Sequence, residues 1–218
     1  MELNTYVSYH QRRFDYVCAL ARQLKPERFN VVLDVGPGPM TQRLSAMYDA
    51  VWSLGFEHTA SFRSADERQR HINFDLNLCS DPGAWPAMPE FDLIVFSEVI
   101  EHVFVRHASV LQFLGHSLSS DGVILCTTPN LAAFHKRVRS VAGKTPWHRW
   151  ESGHVTEFSK ADLLELGRLA GLETRFHAFE NYFGIVGSPL RRSVVRVIDG
   201  VTGVVPNMRR GQVIVYTH

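Results

Sequence analysis

The sequence predicts an α/β domain built on a doubly wound, mostly parallel sheet. Three observations carry this. Residues 31–35 form a short apolar run that ends at Gly36 and Gly38, and helical spacing resumes at Met40, Leu44 and Met47. That is the strand, tight turn and helix that open a βαβ unit. Residues 91–97 and 123–127 are further apolar runs of strand length, separated by an amphipathic segment with Val110, Leu111, Leu114 and Leu118 on one face. Strands alternating with helices argue for a parallel sheet covered on both faces. Finally, 218 residues at 45% hydrophobic suffice for one domain with a sizeable core.

Composition narrows the function classes. Lys and Arg total 23 against 22 Asp and Glu, a net charge of +1, so there is no overall electrostatic footprint for nucleic acid. Cys18, Cys79 and Cys126 lack metal-binding spacing and read as reduced thiols of a cytoplasmic protein. No apolar run reaches membrane-spanning length. Composition therefore predicts no nucleic-acid partner and no transmembrane segment.

Taken in order, residues 6–24 predict an amphipathic helix with Phe14, Val17, Cys18, Ala21 and Leu24 on its buried face. After the glycine turn a helix is expected over roughly 39–49, where Pro39 suits its first turn. Residues 51–57 follow as a second strand ending in Glu57, 21 positions beyond Gly36. In nucleotide-binding α/β folds an acid there accepts hydrogen bonds from ribose hydroxyls. Residues 64–70 are polar and predict a surface helix or loop, residues 72–76 a third strand, and residues 79–90 a loop. Residues 119–122 read as a turn before the fifth strand. The long stretch 131–158 reads as irregular, a length usual for functional loops. Ser159 with Asp162 predicts a capped helix carrying Leu163, Leu166 and Ala170, ended by Gly171. Residues 173–179 and 212–217 predict two last strands around a second insertion, 180–208, whose arginines read as a solvated face.

The glycine turn itself excludes two ligand classes. A dinucleotide fingerprint needs a third glycine where Thr41 stands, and a P-loop needs Gly-Lys-Ser/Thr, which is absent. What remains is Asp34-x-Gly36-x-Gly38, which resembles motif I of the class I S-adenosyl-L-methionine (SAM) methyltransferases. Residues 91–102 resemble that family's "FDLIVxxEVxEH", residues 121–130 its "GGxLxxSTPN", and residues 154–173 are again similar. The likeness spans about residues 30 to 218 and is nearest to the O-methyltransferase branch that includes the ubiquinone-biosynthesis enzymes.

That resemblance implies a Rossmann-like, seven-stranded sheet with the last strand antiparallel, filling residues 1–218 as one domain. Residues 1–29 would cover the cofactor, and 131–158 and 180–208 would form an acceptor lid. It implies SAM as cofactor, bound by Asp34, Gly36, Gly38, Glu57, Asp75, Ser97 and Glu98. Asp75 would meet the adenine amino group. The implied reaction is methyl transfer to a hydroxyl of a small molecule, sugar or lipid-linked acceptor, so the implied partner is a small-molecule or glycan acceptor. A non-catalytic partner subunit of the same fold is the alternative, since Met40 departs from the motif and Pro37 and Pro39 stiffen the turn.

Methyl transfer from a sulfonium needs alignment, exclusion of water and a base, but no covalent nucleophile. Glu98, Glu101 and His102 have i, i+3, i+4 spacing, so a helical turn there would put them on one face. In metal-dependent relatives such a run, with a later histidine, holds a divalent ion. Glu98, Glu101, His102 and His154 are therefore candidate ligands for Mg or Mn, which would lower the pKa of an acceptor hydroxyl. Without a metal, His102 or His154 is the candidate general base and Glu101 its catalytic neighbour.

Overall fold

The computed structural model describes residues 3–25, 29–56, 69–147, 153–185 and 188–218. Its centre is a seven-stranded sheet of β1 (Val31–Val35), β2 (Ala50–Gly55), β3 (Gln69–Asn73), β4 (Phe91–Ser97), β5 (Leu118–Pro129), β6 (Glu173–Glu180) and β7 (Gly211–Thr217). The order is β3-β2-β1-β4-β5-β7-β6. Only β7 runs against its neighbours, pairing antiparallel with both β5 and β6. This is the Rossmann-like, seven-stranded sheet with its last strand antiparallel that the resemblance implied.

Helices cover both faces. α1 (Leu3–Leu24) and α2 (Pro39–Ser45) lie on one side, where Phe14, Val17, Met40 and Leu44 pack on Val32, Leu93, Val95 and Val215. α3 (His107–His116) and, after α4 (Phe134–Val141), α5 (Lys160–Ala170) lie on the other, where Leu111, Leu114 and Leu163 join Leu33, Ile94, Ile124 and Ile214. Strands whose successive residues face two separate cores must be apolar throughout, which is why β1 and β4 read as unbroken hydrophobic runs. The capping box at Ser159 and the left-handed Gly171 stop bound α5 as predicted.

The structure corrects several boundaries. The third strand starts at Gln69 and ends at Asn73, because Asp75 leaves the sheet to cap a 3-10 turn over Leu76–Leu78. Residues 64–68 lie outside the described residues. Leu118 and residues 119–122 belong to β5, not to a helix and a turn; a register shift opposite Phe91 and Leu93 absorbs them. The stretch read as irregular and the second insertion each hold a helix, α4 and α6 (Pro189–Val204). α4 escaped periodicity because Lys136 is buried while Val138 and Val141 are exposed, the reverse of an ordinary amphipathic helix. Among the described residues no helix is long and apolar enough to cross a membrane.

Candidate functional site

Between β1 and β4 the chain winds outward in both directions, and the carboxyl ends of such strands form the crevice where ligands of open α/β sheets bind. The turn after β1 is held tightly. The Gly36 amide donates to the Leu54 carbonyl at 2.8 Å. Gly36 has φ +84°, a conformation that a side chain disfavours, and an added Cβ would stand 2.8 Å from Val99 Cγ2. Gly38 is different: its backbone is extended, and a Cβ there would meet only a backbone oxygen at 4.0 Å. Its glycine keeps space open rather than permitting a turn.

Thr41, the residue that excluded the dinucleotide reading, ties the motif together. Its hydroxyl donates to Asp34 Oδ2 at 2.6 Å and accepts from the Gly38 amide at 2.9 Å. Asp34 is fully buried, and burial pushes its carboxyl up to about 7, partly opposed by the Thr41 bond and the Arg13 charge. A cavity of about 410 Å³ lies over this turn, walled by Asp34, Gly36, Gly38, Met40 and Ser97 and by Tyr6, Arg13 and Phe14 of α1.

A second cavity, of about 680 Å³, adjoins the first and shares Tyr6 and Arg13 with it. Glu98, Glu101, His102 and His154 line it, together with His135, Lys136, Glu157, Phe183 and Arg210. Glu98 has φ +57°, rare outside glycine and typical of functional strain. Its carboxylate accepts from the Tyr182 hydroxyl at 3.1 Å and faces Arg13 at 3.7 Å. Burial raises its pKa, and Arg13 opposes this.

Glu98 thus precedes the helical turn, a 3-10 turn over Ile100–His102, and the predicted four-residue cluster does not form. Among the described residues Glu101, His102 and His154 each bring one donor atom within 4.8 Å of the others. Glu101 is buried; Oε2 accepts from Thr128 at 3.0 Å, while Oε1 has no partner. Burial, then the nearby Glu98 charge, pushes its pKa well above the ordinary value.

Residues 153–158 are fixed by Asn130, just past β5, and by the turn that carries Glu101. Asn130 bridges to Phe158, and the Val155 amide donates to the Glu101 carbonyl at 2.8 Å. This sets the His154 ring against that of His102, with centroids 4.8 Å apart in an edge-on arrangement. His102 Nδ1 lies 3.1 Å from the Gly153 carbonyl. A carbonyl only accepts, so Nδ1 carries the hydrogen and the neutral ring keeps its lone pair on Nε2. Burial lowers the His102 pKa, outweighing the Gly153 bond that would raise it. His154 Nδ1 contacts Glu157 Oε1 at 3.1 Å, and Glu157 pairs with buried Lys136. Burial would raise the Glu157 pKa, but the bond to His154 and the Lys136 charge hold it below the usual range.

Two predicted residues fall elsewhere. Asp75 accepts from the Asn77 amide and side chain, both at 2.9 Å, and lines neither cavity. Glu57 lies outside the described residues, as do residues 148–152 of the predicted lid. Sequence reasoning gave no site role to Thr41, Arg13, Lys136, Glu157 or Tyr182. Of these only Thr41 left a local signal, its place three residues after Gly38; the others reach the site from distant elements.

Fold and cavities together define a class I SAM-dependent methyltransferase architecture. Residues 9–175 match the methyltransferase domain family, and the chain belongs to it. No curated protein matches the chain in sequence. Solved structures are similar in fold. A chain of the Haloferax volcanii complex between the Trm112 methyltransferase activator and a methyltransferase aligns with TM-score 0.66 at 14% identity, over 96% of this chain and 89% of that one. A SAM-dependent methyltransferase from Clostridium acetobutylicum aligns with TM-score 0.65 at 11% identity, over 99% and 94%. The N-methyltransferase NodS from Bradyrhizobium japonicum, in complex with S-adenosyl-L-homocysteine, aligns with TM-score 0.59 at 12% identity, over 95% and 86%.

Proposed function

We propose that this chain is an active methyltransferase that binds SAM over the glycine turn and methylates a hydroxyl of a small molecule, sugar or lipid-linked acceptor in the larger cavity. The observation that carries this is the adjacency of the two cavities across Tyr6 and Arg13, one on the glycine turn and the other on His102 and His154. When bound, SAM supplies a methyl carbon on a positively charged sulfur, which departs as a neutral thioether and needs no acid.

The residues divide the remaining work. Asp34, Gly36, Gly38 and Ser97 cradle the cofactor, and Glu57 takes the ribose hydroxyls by its spacing from Gly36. Asp75 serves the adenine side through the turn it caps, not with a free carboxylate. Glu98, pinned by Tyr182 and facing Arg13, stands between the cavities. The acceptor hydroxyl gives its proton to a histidine Nε2 as its oxygen bonds the methyl carbon. His102 suits this, since its lowered pKa keeps it neutral and its Nδ1 contact leaves the lone pair on Nε2. His154, backed by Glu157 and Lys136, is the second base candidate. Glu101 orients the acceptor through its unpartnered Oε1. α1, residues 131–158 and residues 180–208 wall the site as cover and lid.

A metal-assisted second reading rests on the three donors of Glu101, His102 and His154. They would hold a divalent ion that acidifies the acceptor hydroxyl. Two imidazoles and one carboxyl group suit Mg poorly, and the raised Glu101 pKa opposes binding.

Calorimetric titration with S-adenosyl-L-homocysteine tests the proposal. Micromolar one-site binding is expected, and Gly38→Val should abolish it in a folded protein, because the new side chain enters the cavity without backbone strain. His102→Ala should keep that binding and lower methyl transfer about 10²–10⁴-fold. Absence of binding to folded wild-type protein would turn the assignment to the non-catalytic partner subunit.

A further inference from the structure

We propose that the outward face of α6 docks on an anionic lipid bilayer and brings the mouth of the larger cavity to the membrane surface. α6 has two faces with opposite tasks. Val195, Ile198 and Asp199 line the larger cavity, and Thr202 is buried beneath them. Leu190, Val194, Val197, Val201 and Val204 point the other way and are 51–85% exposed. At 100° per residue these five fall within about 80° of arc, a continuous apolar stripe. Soluble surfaces scatter single apolar residues; a five-residue stripe along one helix marks a contact face.

Charge selects the occupant. Arg196 is exposed on the same outward side of the helix, about 80° of arc from the stripe's edge, with no salt bridge among the described residues. The helix's single acid, Asp199, is turned into the cavity and pairs with Arg210 at 3.0 Å. On another wall of the same cavity, α4 repeats the pattern. His135 and Lys136 line the cavity, while Val138 and Val141 are exposed beside Arg137 and Arg139. Residues 134–147 contain no acid. The near-neutral total of the chain conceals this basic edge. A second copy seated on the stripe would bring no carboxylate of α6 to Arg196, because Asp199 is turned into the cavity. An anionic lipid surface supplies the missing charge and takes up the valines, the arrangement of an interfacial amphipathic helix. The docking stands independently of methyl transfer; that it delivers a membrane-borne acceptor rests on reading the cavity as the acceptor site.

The test is co-sedimentation of the full chain with phosphatidylcholine vesicles and with vesicles of phosphatidylcholine and phosphatidylglycerol, alongside sedimentation velocity. Expected is binding to the mixed vesicles only, weakened by salt, lost in Val197→Asp/Val201→Asp and reduced about fivefold or more in Arg196→Glu. Both variants should still bind S-adenosyl-L-homocysteine as wild type does, which separates this result from failure of the methyltransferase reading. Wild-type protein that ignores anionic vesicles, or a valine variant that binds them undiminished, overturns the proposal. So does a dimer that Val197→Asp/Val201→Asp dissociates, which would give the face to a second copy.

Discussion

Thr41 illustrates how one residue sets a site's electrostatics. Its hydroxyl is the sole side-chain partner described for Asp34, a carboxyl buried to the point that its pKa rises from 3.8 to about 7. The sign of the consequence follows from linkage. Between those values the folded chain keeps a proton that the unfolded chain releases, so this group's contribution falls as pH rises from about 4 to 7 and is constant above. Asp34→Asn removes the titration. The stability difference, variant minus wild type, should grow over that window by as much as roughly 4 kcal/mol. Thermal melts of both proteins from pH 4 to 8 measure it, and a constant difference would mean that Asp34 is ionised throughout. Lys136 and Glu157 pose the opposite case, a buried pair whose charges need each other. Lys136→Met should cost about 3–5 kcal/mol by stranding the carboxylate, and Lys136→Met/Glu157→Gln should recover much of it. Urea denaturation of the two variants decides; equal losses would show that packing of the lysine stem, not charge, is what matters.

At the scale of elements, the glycines do different work. Gly36 permits a left-handed turn, Gly38 leaves a cavity open, and Gly167 of α5 lets a helix approach the sheet. A Cβ at Gly167 would stand 2.6 Å from Tyr216 Cε1 in the core between α5 and β7. Gly167→Ala should therefore destabilise by about 1–3 kcal/mol, although alanine favours helices. Chemical denaturation reads this directly, and a stabilised variant would mean that Tyr216 yields freely. The same scale explains which elements were legible. β1, β4 and α5 announced themselves because burial and local chemistry agree in them: unbroken apolar runs between two cores, and a Ser159–Asp162 box with a glycine stop. α4 was hidden because His135 and Lys136 face the cavity while Val138 and Val141 face solvent, and α6 because apolar residues lie on both its cavity and its solvent sides, so neither shows the one-sided pattern by which a helix is recognised.

For the molecule as a whole, the strand order places the glycine turn of β1 beside the carboxyl end of β4, and the return of β7 between β5 and β6 brings Tyr182 and Arg210 over the same end of the sheet. The sequence by itself determined the parallel α/β core, the glycine turn, the Glu101–His102 pair and the later His154, because these depend on short-range periodicity and on residues a few positions apart. Only the tertiary structure decided that Glu98 turns away from Glu101 to Arg13 and Tyr182, and that Lys136 and Glu157 stand behind His154. It also decided that two cavities meet at α1 and that the valines of α6 face outward. Those are contacts between residues from about 20 to more than 80 positions apart, whose energies come from burial and charge pairing that no local pattern encodes.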